Sequence, residues 1–273
     1  MAAPLQLPVV FILSISSDIG AQLARTYLDR GATVVGTYRS ECPAELAGRN
    51  GLYTFRCDVS ERESRDRIAE FFERTGHRWD LFVSCVGQLS PIGAFLENDF
   101  ETWADSVNTN STAQLRALHA AYPYRHAGQL CHTVFFAGGG TNGPFRSYSA
   151  YCLGKIALIK MCELLDDEAP DLNAFIVGTG WVRTKIHEQT LAAGNRAGRN
   201  HATTAAFLED SSKGTRFDEI AAMIDWGVAQ GRPVAGGRNF SVVHDGWRKG
   251  GAVLAESLRA DPNKFKLRRS GNV

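Results

Sequence analysis

The sequence of 273 residues has almost no net charge and no long apolar run, and each lack excludes a class of protein. Basic and acidic residues number 30 and 29, for a formal charge of +1, whereas nucleic-acid and membrane-surface binders usually carry a strong basic excess. No stretch approaches the roughly 20 apolar residues that cross a bilayer. The apolar run at 9–13 is too short for a signal segment and predicts a buried strand. We therefore expect neither nucleic acid nor membrane as a partner.

The sequence also lacks the patterns that hold metals or disulfides. Its seven histidines form no metal-like cluster with carboxylates, so no metal site is predicted. The cysteines include no CxxC pair and lie mostly inside apolar runs. We expect buried free thiols in a reducing compartment, and hence a cytoplasmic protein. These cysteines are Cys42, Cys57, Cys85, Cys131, Cys152 and Cys162.

Short apolar segments alternate with helical stretches along the chain. The apolar segments are nearly continuous in hydrophobicity, which is typical of strands covered on both faces in a parallel sheet. The alternation predicts an α/β fold, with a doubly wound parallel sheet of about seven strands in a single domain over residues 1–273. The predicted strands are 9–15, 33–39, 52–57, 81–86, 131–137, 174–177 and 239–243, and the predicted helices are 20–30, 62–75, 102–122, 149–168 and 217–227.

Two segments depart from this alternation. Residues 185–214 are polar and rich in Ala, Gly and Asn, so we expect an inserted loop that acts as a lid or binds substrate. Residues 264–270 carry four basic side chains, and we expect them to form a solvated charged end.

The first predicted strand leads into a helix through Ser16, Ser17 and Asp18. In open α/β sheets, ligands bind beyond the carboxyl ends of the strands, and a helix N-terminus at that edge binds phosphate readily. The same three side chains are good helix-start residues that satisfy free N–H groups by themselves. Two of the three glycines of the usual nucleotide-binding fingerprint are absent. A nucleotide site and an ordinary capped helix both remain open from this segment alone.

The second predicted strand ends in Tyr38, Arg39 and Ser40. A fold that prefers NAD typically has a carboxylate here for the ribose hydroxyls. Arg39 instead suits a 2′-phosphate through a charge-assisted pair, which favours NADP(H) over NAD(H). The alternative is a solvated surface arginine.

Tyr151 and Lys155 are four residues apart and share a helix face. A free phenol has a pKa near ~10, which is too high for proton exchange at neutral pH. We expect the Lys155 ammonium to stabilise the phenolate and lower that pKa. Tyr151 would then act as a general acid toward a carbonyl or as a general base toward an alcohol. Lys155 has a second use in donating to the ribose hydroxyls of a cofactor.

Six short blocks occur in a specific order and spacing. They are LSISSDIG at 13–20, Asp58-Val59, Ser84-Cys85-Val86-Gly87, Asn110, Tyr151 with Lys155, and TGWVRT at 179–184. They resemble the TGxxxGIG turn, the adenine-contacting Asp pair, NNAG, the active-site Asn, YxxxK and PG-x-V-x-T of the short-chain dehydrogenase/reductase family. The resemblance covers nearly the whole chain. A subgroup with SGGGAT before YxxxK is the most similar, since residues 137–141 read AGGGT.

The resemblance implies a Rossmann-like oxidoreductase that transfers a hydride between NADP(H) and a small carbonyl or alcohol substrate. It implies that Tyr151, Lys155 and Asn110 are catalytic, with Asn110 holding a water relay, and that the chain forms a homodimer or homotetramer. The cofactor-binding residues that it implies are Ser14, Ser16, Ser17, Asp18, Ile19, Tyr38, Arg39, Ser40, Asp58, Val59, Val86, Gly87, Tyr151, Lys155, Thr179, Gly180, Val182 and Thr184.

The chain also departs from the family pattern. Ala137 and Gly138 lie where the family has its catalytic serine, and the loss of one oriented hydrogen bond to a developing oxyanion costs on the order of 10²–10³ in rate. Thr141 is a candidate to replace that hydroxyl. Ser14 and Asp18 replace two glycines of the turn, and the Asp18 charge opposes phosphate binding unless its side chain turns outward.

Three further residues are substrate candidates. Trp181 and His187 are expected to line a substrate pocket, although Trp181 suits a packed core equally well. Arg183 is expected to receive an anionic group, with a solvated position as the alternative.

Two functions remain open. We favour a working reductase or dehydrogenase over a catalytically impaired family member that acts as a binding or partner subunit.

Overall fold

Seven short apolar strands pair in parallel in the computed structural model, which describes residues 9–210 and 212–269. Their order in the sheet is β3-β2-β1-β4-β5-β6-β7, so the chain reverses direction across the sheet after β3. This confirms the predicted doubly wound fold. The strands are β1 (Val9–Leu13), β2 (Thr33–Tyr38), β3 (Leu52–Arg56), β4 (Leu81–Ser84), β5 (Cys131–Phe136), β6 (Leu172–Gly178) and β7 (Asn239–Ser241).

Helices cover both faces of the sheet because successive strand side chains point to opposite faces. In β1, Val10 and Ile12 belong to one buried cluster, whereas Phe11 and Leu13 belong to the other. The first cluster includes residues of α1, α8 and α10, and the second includes residues of α2, α4 and α5. The helices are α1 (Asp18–Asp29), α2 (Ser64–Thr75), α3 (Phe100–Asn110), α4 (Thr112–Ala121), α5 (Ser149–Glu168), α6 (Ile186–Ala193), α7 (Arg199–Glu209), α8 (Phe217–Gln230), α9 (Arg232–Ala235) and α10 (Trp247–Ala260).

The single helix predicted over 102–122 is wrong, because the chain leaves the helical conformation at Ser111. That residue has φ −139° and ψ −86°, which separates α3 from α4. The side chain of the preceding Asn110 is bonded to the backbone of Gln88. Local periodicity cannot reveal such a break, since its anchor lies elsewhere in the chain.

The segment 185–214 is not an irregular loop, since it contains α6 and α7. Each helix is anchored by a distant residue. The Asp18 carboxylate accepts a hydrogen bond from the Lys185 N–H at the start of α6. The Arg183 guanidinium donates to the carbonyl groups of Phe207, Leu208 and Asp210 at the end of α7. Helix α10 was also absent from the prediction.

The basic C-terminal segment is docked in part, so the predicted solvated end is wrong for the partly buried residues 264–267, whereas Arg268 and Arg269 are exposed. Arg268 forms an ion pair of 2.7 Å with Glu163 on α5. Lys266 lies 3.9 Å from Asp166, and its side chain is only 13% exposed. Of this segment, Ser270 lies outside the described residues.

Four of the six cysteines are buried as predicted, whereas Cys42 and Cys152 are partly exposed. Each of the six thiols is free.

None of the helices within 9–210 and 212–269 is long and apolar enough to cross a membrane. Those same ranges contain no group of three His, Cys, Asp or Glu side chains arranged to hold a metal ion.

Arg238 tests how much the docked C-terminal region contributes to stability. This buried side chain donates to the carbonyl groups of Val234, Leu258, Asp261 and Lys264 at 2.7–3.1 Å. Arg238→Met should lower the free energy of unfolding by about 2–4 kcal/mol, because these carbonyl groups lose a charged donor. Urea unfolding measures the change. The exposed Arg259→Met is the matched control, and an equal loss there would contradict the prediction.

Candidate active site

A cleft of about 1000 Å³ lies at the carboxyl edge of the sheet. It is lined by the segments that follow β1 to β6, because the ends of parallel strands meet at one edge. The structure brings most of the predicted site residues together there. Those lining the cleft are Ser14, Ser16, Ser17, Asp18, Ile19, Arg39, Ser40, Asp58, Val59, Val86, Gly87, Tyr151, Lys155, Thr179, Gly180, Trp181, Val182, Thr184 and His187.

Four predicted site residues do not line the cleft. Tyr38 packs against the core on the α1 side of the sheet. The Thr141 hydroxyl donates to the Gly138 carbonyl at 3.3 Å, so it does not replace the missing serine. Arg183 holds the end of α7 and is not directed at a substrate. Asn110 is fully buried under the cleft floor.

The β1–α1 turn directs the N-terminus of α1 toward the cleft. Ser14 adopts φ +66°, which costs a non-glycine residue roughly 1 kcal/mol. Side-chain bonds hold this conformation, since Ser14 N–H donates to Thr37 Oγ1 at 2.9 Å and Ser17 Oγ donates to the Ser14 carbonyl at 2.9 Å. At Gly20 an added Cβ would overlap that carbonyl and lie 2.9 Å from Ser17 Oγ. Gly20 is therefore the one fingerprint glycine that this turn requires.

The Asp18 carboxylate turns away from the turn and contacts the segment before α6. Its Oδ2 accepts from the Lys185 N–H at 2.6 Å, and the Lys185 ammonium donates to the Ser16 carbonyl at 2.8 Å. These two bonds tie the β1–α1 turn to the cover formed by α6 and α7. The Asp18 charge is thus held by a backbone N–H donor, and both Asp18 and Lys185 line the cleft.

The far end of the cleft has one exposed arginine. Arg39 lines it beside Ser40, Glu41 and Glu45. Within the described residues, its guanidinium has neither a hydrogen bond nor an ion pair, and only its carbonyl is used, accepting from Arg56 Nε at 3.0 Å. The charge of Arg39 is therefore free to meet an anionic group.

Helix α5 brings Tyr151 and Lys155 into the cleft. The Lys155 side chain is 3% exposed, and its Nζ donates to the Val86 carbonyl at 2.9 Å. Nζ lies 5.8 Å from the centroid of the Tyr151 ring. Burial lowers the pKa of Lys155 to about 8 and raises the pKa of the Tyr151 phenol above its ordinary value. The predicted lowering of the phenol pKa is therefore wrong, because burial removes the phenol from water and the neighbouring Cys152 raises its pKa further.

The space of the missing serine side chain is filled by Tyr151. A Cβ added to Gly138 would lie 2.5 Å from the Tyr151 hydroxyl oxygen and 2.5 Å from Cζ. The ring thus packs directly on the backbone at the end of β5. The tyrosine hydroxyl makes no hydrogen bond with any residue that the structure describes, and it lines the cleft.

The Asn110 side chain holds the backbone of Gln88, which lines the cleft, but Asn110 itself does not line it. Its Oδ1 accepts from the Gln88 N–H at 3.1 Å, and its Nδ2 donates to the carbonyl groups of Gln88 at 2.8 Å and Ser106 at 2.9 Å. All its amide protons are engaged. A Cβ added to Gly154 would lie 2.5 Å from Asn110 Cβ, so this glycine allows α3 and α5 to pack closely.

Several cleft residues were missed by the sequence analysis. Phe145 and Tyr148 stack with ring centroids 4.3 Å apart, and the pair of aromatic residues just before the Tyr151 motif was an available signal. Gln189 on α6 accepts from the N–H groups of Leu89 and Ser90 at 2.9 and 3.0 Å. No local pattern predicts that contact, which spans about a hundred residues.

Residues 15–226, more than half of the chain, match a family model described as enoyl-(acyl carrier protein) reductase. Short-chain dehydrogenase reductase 3c of Arabidopsis thaliana is 33% identical over 165 residues, which are 56% of this chain and 62% of that protein. The chain belongs to the short-chain dehydrogenase/reductase family. The matched residues of this chain cover less than two thirds of the length of the Arabidopsis thaliana protein.

Further proteins of known sequence or structure are similar to the chain. The benzil reductase of Saccharomyces cerevisiae is 23% identical over 193 residues, which are 66% of this chain and 73% of that enzyme. The KRED1-Pglu enzyme superposes with a TM-score of 0.74 at 22% identity, over 85% of this chain and 99% of that one. A short-chain dehydrogenase of Shigella flexneri complexed with NADP gives 0.71 at 21% identity, over 86% and 96%. These structural likenesses show the fold.

Gly138 tests the contact between Tyr151 and the end of β5. Gly138→Ala should force the Tyr151 ring out of its position, since the new Cβ overlaps the ring. A crystal structure of the variant would show the displaced ring, and the free energy of unfolding should fall by about 1–3 kcal/mol. Gly143→Ala is the matched control, because its added Cβ meets nothing within 4 Å. An unmoved ring in Gly138→Ala would contradict this account of the contact.

Proposed function

We propose that this family member is an NADP(H)-dependent oxidoreductase that interconverts a small carbonyl compound and its alcohol, with Tyr151 as the general acid and base. The observation that carries the proposal is the Tyr151 hydroxyl, which lines the cleft without a hydrogen-bond partner among the described residues, above a lysine held by the Val86 carbonyl. The family uses nicotinamide cofactors, and the Shigella flexneri relative is complexed with NADP.

The cleft residues fit a dinucleotide by their chemistry. The N-terminus of α1 with Ser16 and Ser17 suits phosphate groups. Arg39 provides a free cation at one end for a 2′-phosphate. Lys155 lies toward the other end, beside the candidate acid. Asp18, the one carboxylate of the turn, is already bound to the Lys185 N–H.

In the reducing direction, a bound nicotinamide supplies the hydride to the carbonyl carbon. Tyr151 donates its proton to the carbonyl oxygen, and burial favours this role because it keeps the phenol protonated at neutral pH. Lys155 remains mostly charged below its pKa of about 8 and stabilises the phenolate that is left after proton transfer. Gly138 has no hydroxyl to donate a hydrogen bond to the substrate oxygen. We therefore assign that contact to the Tyr151 hydroxyl alone.

The remaining roles follow from the same placement. Asn110 acts as a positioning residue through Gln88, whose backbone borders the cleft.

We further propose that the chain works as one domain with α6 and α7 as the substrate cover, and that it assembles as a homodimer or homotetramer. The exposed Leu96, Phe100 and Leu153 support such assembly. The buried free thiols support a cytoplasmic location.

Tyr151→Phe separates a working enzyme from an impaired binding subunit. The variant should retain NADPH binding, measured by cofactor fluorescence, and lose about 10²–10⁴ in kcat for carbonyl reduction, measured by NADPH absorbance. The exposed Tyr53→Phe is the matched control and should keep wild-type rates. If NADPH binds but neither wild type nor variant reduces any carbonyl, the chain is a binding subunit and the enzyme proposal fails.

Arg39 tests the cofactor preference. Arg39→Ala should weaken NADPH binding about 10- to 100-fold, because one charge-assisted contact with the 2′-phosphate is lost. NADH affinity should stay unchanged, since NADH lacks that phosphate. Fluorescence titration with both cofactors measures this. Arg65→Ala, an exposed arginine outside the cleft, is the control. Parallel losses for NADPH and NADH would contradict 2′-phosphate recognition.

A further inference from the structure

The cleft around Tyr151 is apolar. The Tyr151 ring packs in a cluster with the buried Leu89, Ile92 and Tyr148, to which Phe145 and Ile186 also belong. Phe145 can lie close to the reacting group because Gly139 has no side chain, since a Cβ there would be 3.0 Å from Phe145 Cδ1. A substrate that presents its carbonyl oxygen to Tyr151 therefore meets mainly hydrocarbon.

Two stacked aromatic pairs line this half of the cleft. Phe145 and Tyr148 stack at 4.3 Å with an interplanar angle of 14°. Trp181 and His187 stack at 5.4 Å with an angle of 8°, and Phe207 supports both from α7. Trp181 remains 41% exposed although two rings, those of His187 and Phe207, pack against it. An exposed indole fixed in this way offers a flat surface for another ring.

Three polar side chains of the cover make hydrogen bonds within the protein. Thr190 Oγ1 accepts from the Tyr148 hydroxyl at 2.9 Å, and Gln189 Oε1 accepts from two backbone N–H groups. Asn200 Nδ2 donates to the Arg146 carbonyl at 3.1 Å. A strongly polar substrate would therefore lose its hydration with few groups left to replace it.

Three cations near this half are also engaged. The Arg183 guanidinium caps α7, and the ammonium groups of Lys185 and Lys155 donate to the carbonyl groups of Ser16 and Val86. His187 Nε2 lies 2.9 Å from the Val182 carbonyl, which can only accept, so Nε2 carries the proton. Burial lowers the pKa of His187, so this imidazole is neutral at pH 7. An anionic substrate would be buried here without a free counter-charge.

We infer that the substrate is an uncharged aryl ketone or aldehyde whose ring lies against Trp181 and Phe145. This inference rests on the proposed carbonyl chemistry. In reduction, the carbonyl carbon gains a hydride and its oxygen gains the Tyr151 proton. The C=O π bond is lost, the aryl carbonyl becomes the secondary or primary alcohol, and NADPH becomes NADP⁺. Tyr151 recovers its proton from solvent.

Three matched ketones test the substrate class with wild-type protein and NADPH. They are phenyl methyl ketone, cyclohexyl methyl ketone and the para-carboxylate of the phenyl compound. We expect kcat/KM for the phenyl ketone to exceed that of the cyclohexyl ketone about threefold to tenfold, from ring stacking. It should exceed the kcat/KM of the carboxylate compound more than about 100-fold, because the half of the cleft around Tyr151 has no free cation for the carboxylate.

Two variants check which rings act. Trp181→Leu and Phe145→Leu should remove most of the preference for phenyl over cyclohexyl, while the cyclohexyl rate changes little. Tyr53→Leu removes an exposed aromatic ring on β3, outside the cleft, and should leave the preference intact. If both cleft variants keep the wild-type preference, the assigned rings do not select the substrate and the inference is wrong.

The outcomes separate this inference from the proposed function. Turnover that favours the cyclohexyl or carboxylate compound overturns the aryl assignment and leaves the oxidoreductase in place. Absence of turnover with all three overturns the proposed chemistry. The ring preference is then read from thermal stabilisation of the NADP⁺ complex by 1-phenylethanol and 1-cyclohexylethanol. Stronger stabilisation by the phenyl alcohol supports an aryl-binding cleft, and equal stabilisation overturns it.

Discussion

The close approach of α5 to the carboxyl edge of the sheet is the contact on which the site depends. Two glycines allow it, since Gly154 accommodates Asn110 and Gly138 accommodates the ring of Tyr151. The Lys155–Val86 bond then joins the helix to the end of β4. A side chain at Gly154 would push α5 away from α3, and a side chain at Gly138 would displace the Tyr151 ring. Close packing of this kind transmits small changes directly to the reacting group.

Burial sets the electrostatics of this contact. Both Tyr151 and Lys155 are removed from water, so burial favours the neutral form of each group. The consequence is a phenol that holds its proton at neutral pH and a lysine whose charge is easily changed. A protonated phenol can donate its proton to a carbonyl oxygen, whereas a phenolate paired with an ammonium could not. Burial therefore favours the reducing direction.

The cover of the cleft is attached on several sides by bonds between distant parts of the chain. Lys185 joins α6 to the β1–α1 turn, Gln189 joins it to the segment after β4, and Thr190 joins it to Tyr148. Asn200 attaches α7 to the segment before α5. These bonds use polar groups of Lys185, Gln189, Thr190 and Asn200 within the protein, and aromatic and aliphatic groups form much of the remaining surface that faces a substrate.

Much of the fold was predictable because it rests on local patterns. Seven apolar runs predicted seven strands, and the six motif blocks predicted which residues meet at one sheet edge. The break at Ser111 and the helices within 185–214 were not predictable in this way. Their anchors are Gln88, Asp18 and Arg183, and each acts through a contact that only the folded chain creates.

The sequence by itself determined the sheet, its parallel order of elements and the placement of Tyr151 and Lys155 on one helix face, because period and spacing are local properties. Only the tertiary structure decided that Tyr151 fills the space beside Gly138, that Thr141 and Arg183 turn away from the cleft, and that burial raises the phenol pKa. Steric overlap, hydrogen-bond partners and desolvation all depend on distances between residues that are far apart in the chain.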